Sequence, residues 1–136
     1  MVFDYELMFV NDTDHKLKSQ TSGVKGDVLD LAGAGQGKGF PAVIALAFTE
    51  DTTATADPDI QFAIETADNE KFTNSVTIPL MLPTPLKKAD MQAGAVLSSP
   101  LPKIGLMRYV RLKLGTDSAV NMLGLKAGFV LDAPTM

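Results

Sequence analysis

Residues 59–68 read DIQFAIETAD. Ile60, Phe62, Ile64 and Thr66 fall on one side of an extended chain, and Gln61, Ala63 and Glu65 fall on the other. Side chains of a β-strand alternate between its faces, so this period of two predicts a half-buried strand. The pattern recurs in RYVRLKLG (108–115), where Val110, Leu112 and Leu114 alternate with Tyr109, Arg111 and Lys113. It recurs again in NMLGLKAGFVLD (121–132), with Leu123, Leu125, Ala127, Phe129 and Leu131 expected inward. Gly124 and Gly128 fall on the opposite face, where a neighbouring backbone can come close.

Five further stretches read as strands: FDYELMFV (3–10), DVLDLA (27–32), AVIALAF (42–48), SVTIPLML (75–82) and AVLSSPL (95–101). AVIALAF is apolar at consecutive positions and suits a buried helix as well as a buried strand; its brevity and its surroundings favour the strand. Turn chemistry separates the segments at Asp57-Pro58-Asp59, at Asp68-Asn69-Glu70 and at the prolines 83, 85, 100 and 102. Pro79 inside its run predicts an edge strand or a bulge. DHKLKSQTSGVKG (14–26) is polar and reads as a surface loop, and KKADMQAG (87–94) as one helical turn stopped by Gly94. Many short strands at this spacing predict an all-β fold with little helix: a jelly-roll-like antiparallel β-sandwich, with residues 1–136 as one domain.

A chain of 136 residues, 46% hydrophobic and 21% charged, is large enough to bury a core without covalent staples. It has no cysteine, which excludes a disulfide scaffold, a thiolate metal site and a cysteine nucleophile. No apolar run approaches the length of a bilayer-spanning helix, and the start, MVFDYELMFV, lacks the basic flank of a signal peptide. Synthesis in the cytoplasm is therefore expected, with no membrane partner. The net charge of −4 is uneven: residues 1–70 hold 13 acids and 4 bases, and residues 71–136 hold 3 acids and 8 bases. Either the halves interleave and neutralise each other, or they form faces of opposite sign. An acidic chain is a poor wrapper of nucleic acid.

The glycine-rich stretch GAGQGKGF (33–40) invites comparison with a phosphate-binding loop. That motif needs a glycine separated by four residues from Gly-Lys, and a Ser or Thr after the lysine. With Gly37-Lys38 in place, those positions hold Ala32 and Gly39. No strand-to-helix context surrounds the stretch, so it reads as an inter-strand connection. His15 is the one histidine; neither a catalytic triad nor a zinc site can be built around it, and the calcium-loop pattern fails at Lys16. Asp57 and Asp59 flank Pro58 as a turn, with nothing marking a sugar cleft between them. Tyr109, between Arg108 and Arg111, is the nearest approach to a nucleic-acid surface, and a single aromatic is ordinarily a packing residue. These readings predict no catalytic residue, no cofactor and no metal.

The order of segments carries more information than any one of them. FDYELMF is followed by VLDLAGAGQGKGFP, IQFAIETADNEKF, LPTPLKKADMQAGAVLSSPLP, RYVRLKL and AGFVLDAP. Over nearly the whole chain this series resembles the capsid cement (decoration) proteins of short-tailed bacteriophages of the Bordetella-phage type. RYVRLKL with AGFVLD is its most recognisable part. The resemblance implies a jelly-roll-like sandwich that assembles as a homo-oligomer, a dimer before a trimer, on the outside of an HK97-fold shell. There it would bridge neighbouring copies of the major capsid protein in the virion, without catalysis. In that family the glycine-rich connection commonly carries an arginine; Gln36 or Lys38 stands in its place here.

Phe3, Tyr5, Leu7 and Phe9 alternate with Asp4 and Glu6 along residues 1–10. This segment reads equally as a first strand and as an arm laid across a neighbour. Phe3, Asp4, Tyr5, Leu7, Phe9, Lys38, Arg108 and Arg111 are the expected capsid or oligomer contacts, with Lys113 completing a basic rim. The alternative from another class is a carbohydrate-binding jelly-roll module of a tail or surface protein, but the chain has no tryptophan and only two tyrosines to serve as sugar platforms.

Overall fold

The computed structural model describes residues 3–11, 16–31, 43–82, 86–100 and 106–130, with side chains from Met8 onward in the first segment. Ten strands run in chain order: β1 (Phe3–Val10), β2 (Leu17–Gln20), β3 (Gly23–Asp30), β4 (Val43–Phe48), β5 (Ile60–Ala67), β6 (Val76–Pro79), β7 (Val96–Pro100), β8 (Tyr109–Thr116), β9 (Val120–Met122) and β10 (Leu125–Val130). A single 3-10 turn, Lys88–Asp90, is the helical content of the described residues.

The pairings are nested. β1 pairs with β10, β2 with β9, β3 with β8, β4 with β7 and β5 with β6, all antiparallel. Each partnership encloses the next, so the chain is one long hairpin whose tip lies between β5 and β6. Two more antiparallel pairings, β10 with β4 and β5 with β8, roll that hairpin up. The products are two four-stranded sheets, β1-β10-β4-β7 and β3-β8-β5-β6, with the β2-β9 pair at the corner where the hairpin passes between them. This is a jelly roll, the double-sheet solution to the problem of exposed sheet edges.

Alternation decides what each sheet buries. Ile60, Phe62 and Ile64 of β5 meet Val110, Leu112 and Leu114 of β8, all nearly inaccessible, in direct register: Phe62 opposite Leu114, Ile64 opposite Leu112. From the other sheet come Phe9, Ile44, Leu46, Phe48, Leu125, Ala127 and Phe129. The rings of Phe9 and Phe129 lie 6.0 Å apart at 40°, a tilted contact that adds about 1 kcal/mol to the area they bury. Thr66 also points inward, and its hydroxyl is satisfied there: it donates to the Tyr109 carbonyl at 2.9 Å and accepts the Met107 amide at 2.8 Å.

The structure corrects three sequence readings. Residues 17–26 are not a loop: Leu17–Gln20 forms β2 and Gly23 opens β3. Only Leu17 of β2 is buried, because a corner strand has solvent on most sides, and its polar composition hides it. NMLGLKAGFVLD is not one strand, since a turn at Leu123-Gly124 divides β9 from β10. Gly124 is nonetheless a point of close approach: its carbonyl accepts the Thr49 amide at 2.9 Å, and a Cβ there would overlap the Glu50 backbone. The segment beginning at Phe3 is the first strand of a four-stranded sheet. Phe9, expected as a partner contact, is fully buried in this chain's own core.

Candidate functional site

The site residues predicted on β8 lie on the outer face of the β3-β8-β5-β6 sheet. Arg111 and Lys113 alternate with the buried Val110, Leu112 and Leu114, and therefore point away from the core. Register then fixes their neighbours: Glu65 of β5 stands opposite Arg111, Ala63 opposite Lys113 and Ala67 opposite Tyr109. On the other flank, β3 places Val24 opposite Lys113 and Asp30 opposite Tyr109.

Loop 68–75 covers part of this face. Asn69 organises it: its Oδ1 accepts the amides of Lys71 (3.1 Å) and Thr73 (3.0 Å), while its Nδ2 donates to the Thr73 carbonyl (3.0 Å). Phe72 and Asn74 take left-handed backbone, φ 56° and 55°, a conformation that a bulky residue adopts only when its surroundings repay the strain. For Phe72 the compensation is packing: it is buried against Ala67 and Tyr109. The Arg111 guanidinium lies over its ring, 3.9 Å from the centroid. The same guanidinium donates through Nε to Glu65 Oε1 at 2.6 Å, and Ser75 Oγ donates to Glu65 Oε2 at 2.6 Å.

Glu65 is buried. Burial pushes its carboxyl pKa up, but the hydrogen bonds from Arg111 and Ser75, with the charges of Arg111 and Lys113, outweigh burial and hold it below the ordinary value. Arg108 makes the second pair. Its Nε and Nη2 grip Asp30 Oδ1 and Oδ2 at 2.9 and 3.0 Å, a two-pronged contact. The hydrogen bond to Asp30, then Asp30's charge, raises the Arg108 pKa. The guanidinium also sits 5.0 Å from the centre of the Tyr109 ring.

The two arginines expected as a free basic rim are thus each matched by a carboxylate of the chain itself. Arg111 is largely covered with its partner, whereas the Arg108–Asp30 pair stays half exposed at the surface. Tyr109, the one aromatic considered for stacking a base, is buried beneath Arg108. Asp57 and Asp59 are not a free carboxylate pair either, because the Lys87 ammonium lies 3.9 Å from Asp57 and in direct hydrogen bond with Asp59. Among the other expected contacts, Phe3, Asp4, Tyr5 and Leu7 lie on β1, whose side chains are described only from Met8 onward. Lys38, with the whole of GAGQGKGF, and His15 lie outside the described residues.

Sequence reasoning did not find Glu65, Phe72, Asp30 or Ser75. Glu65 had been placed on the polar face of its strand, yet nothing local says that it meets Arg111, 46 residues away. The alternation fixes the face, and only the register fixes the partner. Compared with known proteins, the chain matches no family model and no curated sequence.

Proposed function

We propose that this chain is a structural virion protein, a capsid cement protein. In this reading it binds the outside of an HK97-fold phage shell and bridges neighbouring major capsid subunits, as a homo-oligomer, after synthesis in the host cytoplasm. The collinear resemblance motivates the reading and the jelly roll is compatible with it. The observation that carries it is the outer face of β3-β8-β5-β6. It is braced by two internal ion pairs and edged by the exposed valines Val24 and Val28. A stiff, broad face with apolar margins suits docking against another protein surface, since a pre-organised surface loses little freedom on binding. The carbohydrate-binding alternative needs exposed rings as platforms, whereas Phe72 and Tyr109 on this face lie buried under arginines.

Cement works by mass action: a protein that binds only the assembled shell stabilises it by its binding free energy. The test is co-sedimentation with purified HK97-fold shells assembled from the major capsid protein of the same phage. Saturable pelleting with the shell, and none with unassembled subunits, is the expected result. Pelleting with neither, together with retention on a glycan column, favours the carbohydrate reading.

A further inference from the structure

Of the three cations that β8 and its entrance bring to the outer face, two are already matched: Arg108 by Asp30 and Arg111 by Glu65. Lys113 has no carboxylate within ion-pair distance among the described residues. It is half-buried, between Val24 on β3 and Ala63 on β5. Around it Gln61, Ala63, Thr77 and Gly115 leave a shallow depression of about 150 Å³. Small side chains make this hollow: a Cβ at Gly115 would meet nothing nearer than Gln61 Cβ at 3.8 Å. Val24, 38% exposed, and Pro79 on β6 give the surroundings an apolar margin.

We infer that this shelf is where the protein takes an acidic side chain of the capsid protein, with Lys113 as its counter-charge and Val24 packing beside it. The inference rests on the cement reading and sharpens it. Lys113 makes no ion pair among the described residues and reaches Glu65 only at longer range; such a cation in a dent with an apolar rim complements a protruding Asp or Glu. One lysine beside covered aromatics offers nucleic acid neither a phosphate track nor a stacking platform.

The experiment titrates the wild type, Lys113→Gln and Lys113→Arg onto purified shells at low and moderate salt, with circular dichroism melts as a check on folding. Lys113→Gln is expected to bind about ten-fold more weakly and to respond less to salt, while Lys113→Arg keeps most of the affinity. Gln61→Glu, an exposed change on β5 that supplies Lys113 with an internal carboxylate, is expected to weaken binding similarly and serves if Lys113→Gln folds poorly. If Lys113→Gln and Gln61→Glu both bind like wild type with an unchanged salt response, the shelf is wrong and the cement reading stands. If the wild type itself does not bind shells, both fall. If Lys113→Gln instead dissociates an oligomer of the shell-free protein, the occupant is a second copy and the inference is wrong.

Discussion

Glu65 and Arg111 face each other across β5 and β8 with Oε1 and Nε 2.6 Å apart, and their side chains are only 10% and 26% exposed. The pair joins the two central strands of one sheet and, through Phe72, fastens loop 68–75 over them. Arg111→Met removes the cation and leaves a nearly buried carboxylate with Ser75 alone. Breaking a fully buried pair costs about 3–5 kcal/mol; this one is partly solvated, so about 2–3 kcal/mol is expected from urea unfolding. The double variant Glu65→Gln/Arg111→Met should be more stable than Arg111→Met alone, because no charge is then stranded.

The same carboxylate sets an acid limit. Its folded pKa lies below the ordinary value of 4.5, so the stability it contributes is fully present above that value. It is lost as the pH falls through the folded pKa. Unfolding free energy should therefore decline below about pH 4.5, and the decline should be shallower in Glu65→Gln. Parallel acid limbs for the two proteins would show that other carboxylates carry the effect.

Phe9 belongs to the core and β1 pairs with β10, so residues 3–10 are expected to behave as an integral strand. Phe9→Ala should cost about 3–5 kcal/mol, as for other buried aromatic truncations. Deleting residues 1–10 should leave a chain without a cooperative thermal transition. A truncated protein that melts cooperatively near the wild-type temperature would restore the arm reading.

Two glycines sit where no other residue fits. Gly26 has φ +75°, and a Cβ there would overlap the Phe9 carbonyl; at Gly124 it would lie 2.9 Å from Glu50 Cβ as well as overlapping the Glu50 amide nitrogen. Gly26→Ala and Gly124→Ala should each lower stability by about 2 kcal/mol or more. Gly115→Ala, with only ordinary contacts in reach, should change it little. The comparison is read from melting temperatures.

What was legible in the sequence follows from what is local. Period-two alternation identified the core-facing residues of β5 and β8 but not that Glu65 and Tyr109 on the other face are also buried, and turn chemistry at Asp68-Asn69-Glu70 marked the loop that Asn69 does organise. Glycine was rightly suspected at position 124. The nested pairing was not legible, because alternation says which side of a strand is buried and nothing about its neighbour. β2 was missed because a corner strand with one buried residue has no alternation to show. The carboxylate partners of the arginines are not legible for the same reason as the pairing: Asp30 is 78 residues from Arg108 in sequence and adjacent to it only after the hairpin rolls up.

Electron cryo-microscopy of shells incubated with the protein tests the central proposal most directly. Jelly-roll density is expected on the outer surface, spanning neighbouring capsid subunits, with the β3-β8-β5-β6 face turned toward the shell and Lys113 beside a capsid carboxylate. Shells that remain bare at saturating protein, while the same preparation is folded and monodisperse, would contradict it.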